Sequence, residues 1–402
     1  MAGTSEAVGT YREVLALPGV GRLYAVGFAA RLPLTATSVV LTLHVAVGLD
    51  RGFAAAGLVG GAITAGTALG APLLGRLVDR FALRPVLLLC GLTEATFWGV
   101  APALGVGVLV PAAFVAGVLS LPAFSVVRQS LGVAVPGALR RPAFALDAMS
   151  AEISYIAGPG LGTAAVLALP SGVALRLVGV GFVLATALLW RLDPPTAGGD
   201  AASGPPPPLR SWLRPPMLVA LAGAAAAILL LTATELGVVA GLTDRGETGW
   251  FALANTVWCL TSLVGGFVHG AAARPRSMPV LLGLLALGTV PVAFGGPWWV
   301  VTLLLVPAGA CCAPALAASS EAVVRLAPET ARGVATGLHG TAIMGGAAVA
   351  QPLTGLLVDT ASPAVAILAA VGVCALVAGA ASTVPRHDRS AGPGTDDRRT
   401  TA

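Results

Sequence analysis

The 402-residue chain contains no lysine: its 23 basic residues are all arginine, a uniformity that reads as codon bias rather than mechanism. Charge of either sign is scarce. Only 10% of residues are charged against 56% hydrophobic, and mean hydropathy is +0.89, where a soluble globular domain carries roughly 25% charged residues. So few charges cannot cover a water-facing surface, so lipid must solvate the chain. The five cysteines, Cys90, Cys259, Cys311, Cys312 and Cys374, each fall in an apolar run and none has metal-ligand spacing with a histidine. They read as small buried hydrophobes, and neither a metal nor a cofactor is expected. There is no G-x-x-x-x-G-K-[ST] phosphate loop, so nothing suggests ATP-driven pumping. Nor is there an H-E-x-x-H helix or a Ser-His-Asp set, and an enzyme is not expected. Residues 1–18 contain Glu6, Arg12 and Glu13 and lack the apolar core of a cleavable signal peptide.

What is present is a series of long apolar runs. Bounded by charge, proline or glycine, they number twelve. Spans 1–6 are expected at 19–47, 53–75, 85–104, 106–130, 143–168 and 172–190. Spans 7–12 follow at 216–242, 249–271, 278–294, 297–326, 333–358 and 362–384. At about 20 residues per crossing each suffices for a helix. Continuous apolar runs do not alternate as barrel strands do, so helices are the expected spanning structure. The net charge of +5 sits in loops and tails and speaks for topology rather than nucleic acid. With the N-terminus inside, every arginine except Arg31, Arg51, Arg176 and Arg245 falls in a cytoplasmic segment. An odd number of spans would scramble that division. A multi-pass protein of the plasma membrane with both termini cytoplasmic is expected.

Residues 191–215 form the one long polar break, with four consecutive prolines ending at Pro208. Such a segment acts as a semi-rigid exposed linker. It separates an N-terminal bundle, 1–190, from a C-terminal bundle, 216–384, and a charged tail, 385–402, is expected to be disordered. The halves echo each other. Shifted by 192 residues, Pro122, Pro136 and Arg140 fall on Pro314, Pro328 and Arg332; shifted by 194, Pro85-Val86-Leu87 falls on Pro279-Val280-Leu281. Two pseudo-symmetric six-helix bundles that rock about a central site are the transporter architecture this implies.

Between spans 2 and 3 lies a charged island, Gly75-Arg76-Leu77-Val78-Asp79-Arg80-Phe81-Ala82-Leu83-Arg84-Pro85, expected to be a tight turn at the membrane face. It resembles the loop between helices 2 and 3 of the major facilitator superfamily, roughly G-x-L-x-D-R-x-G-R-R. Gly75, Leu77, Asp79, Arg80 and Arg84 match, while Ala82 and Leu83 depart. The resemblance implies an all-α fold of twelve transmembrane helices and alternating access. It also implies a cytoplasmic gate in which Asp79 faces the start of span 11 near Gly333, with Arg128 and Arg332 joining the cluster. The bland alternative is that these charges merely fix topology. Gly158-Pro159-Gly160-Leu161-Gly162 in span 5 resembles the G-x-x-x-G-P-x-x-G-G motif of the superfamily's drug and metabolite antiporters, with Ser154 and Thr163 replacing its first and last glycines. Its physical content is a bent, closely packed helix. The arginine that drug antiporters carry well inside span 4 is missing, since Arg128 lies at the inner end.

Ionisable residues inside a bilayer are functional candidates by default. Arg31, Glu94 and Glu152 lie deep in spans 1, 3 and 5, and Glu235 lies toward the outer end of span 7. An arginine there needs a carboxylate or a water-filled cavity. Pairing of Arg31 with Glu152 is expected, with Glu152 either carrying protons for coupling or serving as a static ion-pair partner. Glu235 either faces the cavity and a cationic substrate or snorkels outward. Asp147, Glu321, His269 and His339 lie near the inner interface, where charge costs little. The sequence thus points to a monomeric secondary transporter exporting a small hydrophobic or amphipathic molecule against a proton gradient. An uptake permease or facilitator of the same fold stays open, as does, at greater distance, a non-transporting receptor or scaffold.

Overall fold

A computed structural model describes residues 11–195, 208–271, 276–328 and 331–383, and among these it is all-helical with no strand. Residues 196–207 of the predicted linker and the tail 385–402 lie outside the described residues. Ten helical segments are long and apolar enough to cross a membrane by length and composition. They coincide with ten of the twelve expected spans. The other two are also helical. Span 5, Gly137–Ala168, carries Arg140, Arg141, Asp147 and Glu152, and span 9, Met278–Thr289 with a 3₁₀ turn Val290–Phe294, is shorter. Large apolar side chains point outward, with Phe267 77% and Leu376 76% exposed, while Arg31 and Glu94 are buried. This inversion of a soluble protein is what lipid solvation selects.

The helices pack in the same pattern twice. Span 1 (Val20–Leu43, continued by a π turn His44–Gly48) lies against spans 5 and 6, as span 7 (Pro215–Asp244) lies against spans 11 and 12. Span 2 (Gly52–Phe81) pairs with span 4, as span 8 (Phe251–Ala271) pairs with span 10. Span 3 (Leu83–Val100) pairs with span 6 (Ser171–Leu192), as span 9 pairs with span 12 (Pro363–Thr383). The repeat extends to single atoms. Gly117 in span 4 lies so close to the Ile63 carbonyl of span 2 that a Cβ would overlap it, and Gly309 in span 10 stands in the same relation to the Trp258 carbonyl of span 8. Without a hydrophobic force between helices in lipid, close backbone approach at small residues supplies the packing.

Two expectations are corrected. The charged island is not a loop: span 2 remains helical through Phe81, and span 3 begins at Leu83, so the chain reverses at Ala82 alone. Nothing between Arg76 and Phe81 breaks a helix, and the arginines extend it past the apolar run. Span 4 is not continuous either. It consists of Val106–Val118 and Ala123–Ala134, interrupted at Leu119–Pro122.

Candidate functional site: the seam between the halves

The halves meet along two symmetry-related seams, span 2 with span 11 (Arg332–Thr360) and span 5 with span 8. On the first, a Cβ at Gly57 would overlap the Gln351 carbonyl, and one at Gly355 would overlap the Phe53 carbonyl. Hydrogen bonds join the halves at Phe53 and Ala54 to Asp359, Gln351 to Thr64 (3.0 Å), Ser38 to Glu235 (2.8 Å) and Asn255 to the Tyr155 carbonyl (2.9 Å). Toward the other end, where span 2 reaches Arg80, Gly75, Gly337, Gly340 and Gly345 have open space where a Cβ would stand. The halves are joined closely at the Asp359 end.

Of the residues expected at the gate, three have partners among the described residues. Arg84 pairs at 3.2 Å with Asp193, just past the end of span 6, donates to the Trp190 carbonyl and lies over the Trp190 ring. Arg80 lies over its neighbour Phe81, and Arg128 bonds Asp147 at 3.2 Å. The side chains of Asp79 and Arg332 lie outside the described residues.

Arg31 meets Asp147, not Glu152. Its guanidinium bonds the Asp147 carboxylate, reaches the Asp147 carbonyl at 3.4 Å, and stacks on Phe124 with 4.6 Å to the ring centroid. The register explains the partner. Spans 1 and 5 run parallel, tied by Tyr24 to the Ala143 carbonyl at 2.7 Å and Thr35 to the Ser154 carbonyl at 2.8 Å. Helical side chains lean toward the N-terminus, so Arg31 reaches back to Asp147, a turn short of Glu152. Span 5 also starts at Gly137 rather than 143, which places Asp147 as deep as Arg31. A buried guanidinium demanding an acid was the signal; the misplaced helix start hid which acid.

Gly158 and Gly162 do what close packing requires. A Cβ at Gly158 would overlap the Thr35 hydroxyl, and one at Gly162 would crowd Val40 and Ala36 of span 1. Pro159 has no N–H, which leaves the carbonyl four residues back without its helical donor. That carbonyl belongs to Tyr155 and receives Asn255 from the opposite half.

Glu94 is not in the seam. Trp98 Nε1 (2.6 Å), Ser120 Oγ (2.9 Å) and the Leu121 amide (3.3 Å) all donate to it. The last two come from the interruption in span 4, so Glu94 satisfies groups that the broken helix releases. His44 bonds Ser171 at 2.9 Å, and His339 bonds Ser319 at 3.0 Å.

Besides Asp359, two carboxylates lie beside the seam without a basic partner among the described residues. Glu235 holds only Ser38, at the edge of a cavity of about 40 Å³ lined also by Thr42, Thr232 and Gln351. Glu152 is half-buried and has neither a hydrogen bond nor an ion pair among the described residues. They stand one in each half, Glu152 on span 5 and Glu235 on span 7.

The family model described as Major Facilitator Superfamily matches residues 23–294 and again 244–401. No curated protein matches the chain. Among solved structures, a mutant of the nucleoside transporter NupG is similar at 12% identity and TM-score 0.75, over 90% of this chain and 98% of that one. A bacterial homologue of the human lysosomal transporter Spinster, inward-facing and unoccupied, is similar at 14% identity and TM-score 0.69, over 92% and 96%. A POT family transporter in complex with 5-aminolevulinic acid follows at 13% and 0.66, over 90% and 95%. At these identities the likeness is one of fold. With the family model spanning nearly the whole chain and the two halves packed alike, the chain belongs to the major facilitator superfamily.

Proposed function

We propose that this chain is a proton-coupled secondary transporter that exports a small hydrophobic or amphipathic molecule across the plasma membrane by alternating access. The Arg80 end and both termini face the cytoplasm, as the arginine distribution requires, which makes the closely joined Asp359 end the outer one. The linker 191–215 joins two bundles, 1–190 and 216–384, that move against each other. The observation that carries the reading is the pair Glu152 and Glu235. Intramembrane carboxylates without cations are expensive unless they take up a proton or a cationic group in turn. Placed on opposite halves beside the seam, they change surroundings whenever the halves rock. Asp147 holds Arg31 and Arg128, so the cations near the site are already occupied.

An uptake permease is the second reading, favoured by the hydrogen-bonding side chains Ser38, Thr42, Thr64, Thr232 and Gln351 at the seam. A nucleoside transporter is among the structures of similar fold.

Purified protein in liposomes, with an imposed pH gradient and a pH dye inside, decides between them. A panel of hydrophobic cations, neutral antibiotics, nucleosides and sugars is tested against wild type, Glu152→Gln and Glu235→Gln. Substrate-dependent proton movement that either variant abolishes is the expected result. Flux without proton movement, unchanged in both variants, would make the chain a facilitator and reduce both acids to structural groups.

A further inference from the structure

Span 2 begins without a cap of its own. Arg51, the residue before it, makes no side-chain hydrogen bond to the first turn, and that turn contains no acidic residue. The orphan amides of a helix start need acceptors. Here they come from the other half of the molecule: Asp359 Oδ1 accepts from the Phe53 amide at 2.9 Å and Oδ2 from the Ala54 amide at 2.7 Å. The carboxylate also lies at the positive end of the helix dipole. Gly52 makes the approach possible. Its φ of +73° suits glycine, and a Cβ there would crowd the Asp359 carboxylate.

Spans 2 and 11 run antiparallel, so each presents its first turn beside the last turn of the other. At the outer end, the acid of span 11 caps span 2. At the inner end the same helices place Asp79, in the last turn of span 2, on the side where span 11 starts at Arg332. We propose that Asp359 is the outer lock of the transport cycle: a carboxylate that holds the halves together at the outer face by capping span 2, and releases when the inner ends close. The proposal rests on the alternating-access reading above. The contact is suited to repeated breaking because both partners sit at the membrane surface, where water replaces the lost bonds. Beneath it the halves meet along the glycine seam at Gly57, Gly60, Gly61 and Gly355.

Hydrogen–deuterium exchange on the full-length protein in phosphatidylethanolamine/phosphatidylglycerol nanodiscs tests this. The variants are Asp359→Asn, which keeps shape and removes charge, and Gly52→Ala, which leaves the acid intact and fills its cradle. Both are expected to raise amide exchange at 53–58 and 354–359 on the order of tenfold, and to lower it at 72–80 and 334–340, because population moves to the outward-open state. The opposite signs at the two ends are what a mere loss of stability does not produce. A rise at the outer end with the inner end unchanged, a rise at both ends, or no change in either variant would each overturn the lock. The liposome experiment reads coupling independently: proton-linked flux in wild type alongside any of those three outcomes removes the lock and leaves the transport reading standing.

Discussion

Asn255 donates its side-chain amide across the seam to the Tyr155 carbonyl at 2.9 Å, and that carbonyl is available because Pro159 follows four residues later. The proline thus turns a helix defect into a receptor for the opposite half. Asn255→Ala should destabilise the protein by about 1 kcal/mol, the usual net worth of such a bond. In a Pro159→Ala background the helix regains its own donor, and the same substitution should cost little. Unfolding midpoints of the two single variants and the double variant measure the coupling. Additive effects would show that the proline and the asparagine act separately.

Arg31 and Asp147 are both buried, and Asp147 holds Arg128 on its other oxygen. Breaking a buried pair leaves an uncompensated charge, so Asp147→Asn should cost about 3–5 kcal/mol. Arg128 is different: its side chain is 59% exposed. Arg128→Ala should cost under about 1 kcal/mol. Glu152→Gln, which breaks no bond found among the described residues, should leave stability near wild type. Reversible unfolding in mixed detergent gives all three. A large loss for Glu152→Gln with little for Asp147→Asn would return the ion pair to the partner the sequence suggested.

These pairs show what the sequence disclosed and what it withheld. Twelve helices were legible because lipid imposes long uncharged runs. The repeat was legible in Pro122 and Pro314, Pro136 and Pro328. Partners inside the bundle were not, because they depend on helix register: six residues at the start of span 5 moved the partner of Arg31 from Glu152 to Asp147. Glu94 read as a coupling candidate because the interruption in span 4 carries no strong breaker before Pro122. Asp359 gave no signal at all. A carboxylate at the end of an apolar run looks like a helix terminus until a second helix starts beside it.

Ala82 stands where the superfamily pattern has glycine, and its backbone shows why the pattern does. It adopts φ 68° and ψ 170°, a conformation that only glycine reaches without strain. Ala82→Gly should therefore stabilise the protein, by about 1 kcal/mol, although glycine is more flexible when unfolded. Thermal unfolding in detergent, followed by tryptophan fluorescence, reads the shift. A fall in the midpoint would mean that the reversal between spans 2 and 3 is built differently.

Glu94 closes the gap in span 4, and its donors argue for a structural part rather than a coupling one. Trp98 holds one oxygen while Ser120 and the Leu121 amide share the other, and the Trp98 ring is stacked on Phe182 with 5.9 Å between centroids. Glu94→Gln keeps an acceptor for one of these groups but brings two donors of its own into a site already full of donors. Glu94→Leu removes the acceptor altogether and leaves a backbone amide and an indole N–H buried. We expect a loss of about 1–3 kcal/mol for each group so stranded, with the leucine variant the worse of the two. Proton-coupled flux per folded molecule should survive Glu94→Gln, in contrast to Glu152→Gln. Flux normalised to folded protein is the deciding measurement, because a coupling acid would fail it even where the protein still folds.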